Sequence, residues 1–223
     1  MGSIVTSEKP TILNGHQYPF HTIDLPSSGG DLGTTVSDDA AHIQEPTSKL
    51  VDAGKELILV MHSYGGIPGT ESAKGLLKKD RQTEGKIGGI ISLVYIAAFY
   101  FPRRLHWLCF LSDKMTVQNP EKIFYNDLPD SHTKTLVSKL RHHAKTSFFT
   151  PLTYPAYQEV PSSYLLCEQD NTIPLVGQQA MVGIGGQGVT SYVCSASHSP
   201  MLSMPGKVVE VIRATAGEKL HSI

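Results

Sequence analysis

Cysteine is scarce in this 223-residue chain. Cys109, Cys167 and Cys194 are an odd number with no C-x-x-C spacing, which argues against a disulfide framework and a structural zinc site. Two of them sit in apolar runs and read as packed core residues. Surplus charge is lacking too: Lys+Arg 19 against Asp+Glu 20 gives a formal net charge of -1, so nothing is in excess to hold a phosphate backbone, and nucleic acid is not expected as a partner. No apolar run approaches the length of a membrane span, and Met1-Gly2-Ser3-Ile4-Val5 carries no charged leader followed by an apolar stretch. No membrane association is therefore expected, and the simplest placement is cytoplasmic. Met1-Gly2-Ser3 with Thr6 matches a myristoylation pattern only superficially. No H-E-x-x-H or comparable ligand spacing exists, so no metal is expected. Gly183-Ile184-Gly185-Gly186-Gln187-Gly188 matches G-x-G-x-x-G, but it follows a predicted helix and precedes a predicted strand, the reverse of the dinucleotide context, and no cofactor is expected. Repeats and low-complexity tracts are also missing. The length supports one well-buried core, hence a single domain over 1–223.

What the chain does have is an apolar β-type run, Leu57-Ile58-Leu59-Val60-Met61, continuing through His62 and ending in Ser63-Tyr64-Gly65-Gly66. Taken alone, this is a buried strand closing in a glycine turn. It is also how a strand delivers a nucleophile: a serine hydroxyl needs a base within reach and exposure at the strand end, and small residues after it let the next helix pack close.

Around this run the chain alternates strand and helix patterns. Phe20-His21-Thr22-Ile23 reads as a short strand stopped by Asp24-Leu25-Pro26-Ser27-Ser28-Gly29-Gly30, and Ser37 to Ala53 as a helix interrupted or kinked near Pro46. Thr70 to Asp80, with Ala73, Leu76 and Leu77 on one face, predicts a helix. Gly88 to Ala98 is nearly continuously apolar and β-branched, as a strand buried on both faces is, so the order gives a right-handed βαβ unit. Ser163–Cys167 and Val189–Cys194 predict further strands, with helices near Pro174–Val182 and Pro205–Ala216. Residues 102–161 hold aromatics and histidines among prolines, with one predicted helix over Ser131–His142, and read as a lid insertion.

Three polar residues fall in loops just beyond strand ends: Ser63, Asp170 and His198. In a parallel sheet those ends share one edge, so the three can converge there. Singly, Asp170 could cap a helix and His198 is one of 10 histidines. Jointly, their chain order of nucleophile, acid and base is that of the α/β hydrolases and not of the other serine-protease arrangements.

The segments Met61-His62-Ser63-Tyr64-Gly65-Gly66, Tyr164-Leu165-Leu166-Cys167-Glu168-Gln169-Asp170 and Ser197-His198-Ser199-Pro200-Met201-Leu202-Ser203 resemble the α/β-hydrolase superfamily. The likeness is strongest to small fungal alpha/beta-hydrolase-1 proteins and more distant to plant methylesterases and hydroxynitrile lyases. Asp24-Leu25-Pro26-Ser27 and Phe124-Tyr125-Asn126-Asp127-Leu128-Pro129 extend it over roughly residues 20–217. The resemblance implies an α/β fold, a mostly parallel sheet with flanking helices, and esterase-type chemistry with Ser63 as nucleophile, His198 as base, Asp170 as its orienting acid and Tyr64 N–H in the oxyanion hole. Two departures stand out. Met61 occupies the position, two before the serine, that is usually glycine. Lys9-Pro10-Thr11-Ile12 runs almost directly into Asn14-Gly15-His16, where family members carry a strand and an oxyanion loop, so the fold is expected in a form shortened at the N-terminus.

Within the insertion, Trp107, Tyr125, Phe148 and Phe149 either line an apolar pocket for a small-molecule substrate or pack the lid onto the body. His142-His143 with Lys145 reads as a solvated lid surface. Three functions follow: a serine hydrolase acting on an ester or related carbonyl bond, a degenerate hydrolase lacking the oxyanion loop, or a C–C or cyanohydrin lyase on the same scaffold.

Overall fold

A computed structural model describes residues 18–100, 113–149 and 151–219. Cys109, Trp107 and the Lys9–Gln17 stretch bearing on the shortened N-terminus lie outside the described residues.

Four strands form one parallel sheet in the order β1-β2-β5-β6: β1 (Glu56–His62), β2 (Gly89–Ile96), β5 (Ser162–Cys167) and β6 (Val189–Cys194). Parallel pairing puts all four C-terminal ends on one edge, with His62 opposite Ile96 and Cys167 opposite Cys194. β2 is buried almost throughout, as its unbroken apolar run predicts. On one face Tyr95, Tyr100, Tyr157 and Tyr164 pack with Leu93 and Leu166; on the other Val94, Ile96 and Leu165 meet the final helix. Among the described residues β1 is hydrogen-bonded on the β2 side alone, and Leu57, Ile58, Leu59 and Val60 are only partly buried.

Helix α1 (Val36–Asp52) starts in a capping box, in which Thr35 Oγ1 accepts from the Asp38 amide and the Asp38 carboxylate accepts from the Thr35 amide. Pro46 sits inside it and does not end it. After β1 come a single turn, Ser63–Gly65, and α2 (Gly66–Ser72). The helix expected over Thr70–Asp80 is divided: α2 stops at Ser72 and α3 runs from Lys78 to Thr83. Gly75 takes φ +75°, and the chain there turns to edge-pair Leu77 with Ile90, which a continuous helix would forbid. The strand expected at Phe20–Ile23 is irregular; among the described residues no strand pairs with it, and a strand is held by its neighbours.

Between β2 and β5 lie β3 (Lys114–Met115), α4 (Pro120–Phe124), α5 (Asp130–Ser138) and β4 (His143–Ala144); β3 and β4 pair antiparallel, and His143 also bridges to Ser28. The pairing buries His143, so the solvated surface expected for His142-His143 is corrected at that position. α6 (Leu175–Gly185) joins β5 to β6, and α7 (Pro200–Ser203) and α8 (Pro205–Thr215) end the described fold. Among the described residues no helix is long and apolar enough to cross a membrane.

Candidate active site

Ser63 is the first residue after β1 and has φ +53°, a left-handed conformation that a serine adopts only when its surroundings enforce it. Its carbonyl accepts from the Phe99 amide at 2.9 Å, which ties the turn to the end of β2. Close packing behind the turn depends on glycine. A Cβ on Gly66 would lie 2.2 Å from the Phe99 carbonyl oxygen, and one on Gly69 would lie 2.4 Å from Met61 Sδ. The second contact accounts for Met61: the space its side chain needs is left open by Gly69, one turn into α2.

Asp170 follows β5 and His198 follows β6, so the sheet edge brings both to Ser63. His198 Nε2 lies 2.9 Å from Ser63 Oγ and His198 Nδ1 lies 2.8 Å from Asp170 Oδ2. A carboxylate accepts, so Nδ1 carries the proton and the Nε2 lone pair faces the serine hydroxyl. All three side chains are buried.

Each partner is held by groups that sequence patterns did not single out. Asp170 Oδ1 accepts from the amides of Thr172 at 2.7 Å and Ile173 at 2.9 Å. Gln178, fully buried on α6, donates to the carbonyls of Ile173 and Cys167 and accepts from the Cys167 amide, so one side chain fixes both sides of the Asp170 turn. His62 Nε2 lies 2.7 Å from the His198 carbonyl. Burial, and next the neighbouring His198, push the His62 imidazole down to about 3, so it stays neutral and donates there. Phe124 stacks 5.5 Å from the His198 ring.

Tyr64 follows Ser63. Its amide, at the start of a helical turn, has no acceptor within that turn and is a candidate oxyanion donor. Its side chain points into the body: the hydroxyl donates to Asp39 Oδ2 at 2.7 Å, while Asp39 Oδ1 accepts from the Ser27 amide at 2.9 Å. Burial and the Asp39 charge raise the phenol well above its ordinary value. Phe148 packs on Tyr64 at 4.8 Å and on His143 at 5.1 Å. Burial pushes His143 down to about 2, and its Nε2 meets Ser147 Oγ at 2.8 Å. Tyr125 is buried beside Phe124, whereas Phe149 is 44% exposed with the Lys145 ammonium 5.8 Å from its ring centre. Among the described residues no group of His, Cys, Asp or Glu is placed to hold a metal ion.

The sheet edge thus carries a strained serine turn and three convergent side chains. Residues 11–211 match the model of the alpha/beta hydrolase family, and the chain belongs to that family. It is 29% identical over 230 residues to the alpha/beta hydrolase nvfD of Aspergillus novofumigatus, covering 94% of this chain and 90% of that protein. It is 28% identical over 222 residues to the probable hydrolase R7 of a Phoma species, covering 90% and 87%. Its fold is similar to that of the methylesterase MES16 from Arabidopsis, with a TM-score of 0.71 and 20% identity over 93% of this chain and 91% of that one. Polyneuridine aldehyde esterase is similar at a TM-score of 0.66 and 16% identity, over 93% and 91%.

Proposed function

We propose that this protein is a serine hydrolase that cleaves an ester, or a related carbonyl bond, of a small, partly apolar molecule. The observation that carries the reading is the hydrogen-bonded chain from Ser63 Oγ through the His198 imidazole to Asp170, at 2.9 and 2.8 Å. In this reading Ser63 Oγ attacks the carbonyl carbon as its proton passes to His198 Nε2, and Asp170 orients the imidazole and stabilises its charged form. The Tyr64 amide donates to the oxyanion. The alkoxide leaves with the proton from His198, and water, activated by the same imidazole, releases the acyl group from Ser63.

Residues 102–161 act as a lid in this proposal, with Trp107, Tyr125, Phe148 and Phe149 as the candidate apolar contacts. An ester is favoured over a C–C or cyanohydrin bond because similar folds include a protein described as a methylesterase and polyneuridine aldehyde esterase. A second reading is a non-catalytic member of the family. An oxyanion hole with the Tyr64 donor alone would run about 10²–10³ slower than one with two donors. Turnover of a panel of p-nitrophenyl esters separates the two readings. Hydrolysis that disappears in Ser63→Ala supports the enzyme, and a folded protein with no turnover supports the second reading.

A further inference from the structure

We infer that Asp127, on the segment between β2 and β5, is a positioning residue for His198, so that the seating of this segment and the alignment of the base are one event. The inference rests on the serine-hydrolase reading. Asp127 Oδ2 accepts from the Ser197 amide at 2.8 Å, and Oδ1 accepts from the Ser197 hydroxyl, which is fully buried. Ser197 immediately precedes His198, and the His198 carbonyl is taken by His62 Nε2. The backbone is thus gripped on both sides of the imidazole, from the nucleophile strand by His62 and from the insertion by Asp127.

The same segment is stitched to the acid. Asn126 Nδ2 donates to the Gln169 carbonyl at 3.0 Å, Asn171 Nδ2 to the Lys122 carbonyl at 2.8 Å, and Thr172 Oγ1 to the Ile123 carbonyl at 3.1 Å. Phe124 adds its ring beside His198 and its carbonyl as a second acceptor for Ser197 Oγ, at 3.2 Å. Residues 122–127 therefore touch the loops of both Asp170 and His198. Asp127 is the only charged group among these contacts and the one bound to the base loop's own amide. Lifting the segment would release that amide, and a shift of about 1 Å in a catalytic group can lower a rate on the order of 10²-fold.

The test is steady-state kinetics on a p-nitrophenyl ester for Asp127→Ala, Asp127→Asn and Ser63→Ala, with melting temperatures to show that each is folded. Asp127→Ala is expected to lower kcat about 10–100-fold with KM within about 3-fold, because alignment and not ground-state binding is lost. Asp127→Asn, which keeps one carbonyl oxygen to accept from the Ser197 amide, is expected to stand between the two, about 3–10-fold below wild type in kcat. A folded Asp127→Ala with unchanged kcat, a loss confined to KM, or an Asn variant no better than Ala overturns the inference. Should Asp127→Ala not fold, Asp127→Asn and Ser197→Ala carry it: each is expected to lower kcat about 3–10-fold at unchanged KM, and wild-type kcat in both overturns it. Activity that persists in Ser63→Ala overturns the underlying reading instead.

Discussion

Met61 and Gly69 fit each other: a Cβ on Gly69 would stand 2.4 Å from Met61 Sδ and 2.8 Å from its Cγ, so the missing side chain on α2 makes room for the one before the serine turn. Gly69→Ala gains about 1 kcal/mol of helix propensity and loses about 1–3 kcal/mol to overpacking. We expect a net loss of stability that Met61→Ala, itself destabilising, partly reverses in the double variant. Urea unfolding of the four proteins of the cycle checks this, and strict additivity contradicts it.

Two buried histidines are expected to make the fold sensitive to acid. His62 and His143 are held near 3 and 2 by burial, against about 6.5 in the unfolded chain. Below 6.5 the unfolded state binds protons that the folded state refuses. Their stabilising effect is therefore complete above pH 6.5 and is lost as pH falls toward 3, at about 1.4 kcal/mol per pH unit for each. Urea midpoints at pH 7.5, 6 and 5 should drop steeply, and His143→Gln should reduce the slope by roughly half. A midpoint flat over that range contradicts the burial argument.

The strand ends were legible in the sequence because strands announce themselves by unbroken apolar runs, and a parallel sheet gathers whatever follows them. That is enough to bring Ser63, Asp170 and His198 together. It does not reach Gln178, Asp127 or His62, whose partners lie 11, 70 and 136 positions away in the chain and leave no local periodicity. The burial of His143 leaves as little trace: a two-residue strand is too short to show alternation, and His143 is covered by its pairing with Met115 and Ser28 and by the rings of Tyr64 and Phe148. The break at Gly75 was obscured because Ala73, Leu76 and Leu77 keep helical spacing although they pack from separate turns.

Gln178 satisfies the backbone around Asp170 from a fully buried position. Gln178→Leu leaves the Cys167 amide and the Cys167 and Ile173 carbonyls without that partner. A loss of roughly 2–4 kcal/mol is expected, together with a lower kcat. Equilibrium unfolding and turnover of one ester measure both, and an unchanged midpoint contradicts the account.

Asp39 anchors Tyr64 and the Ser27 loop from inside the protein. Asp39→Ala strands two buried donors and should cost about 2–4 kcal/mol. Asp39→Asn, which can still accept from the Ser27 amide while the Tyr64 hydroxyl turns to accept, should cost about 1 kcal/mol. Equal losses in the two variants, read from thermal or urea midpoints, contradict the hydrogen-bond assignment.

The central claim is that Ser63 is an activated nucleophile. Incubating the folded protein with a fluorophosphonate probe and locating the adduct by peptide mass spectrometry tests it most directly. The account predicts a single adduct on Ser63, lost in His198→Ala; no adduct in folded protein, or labelling at another residue that persists without His198, contradicts it.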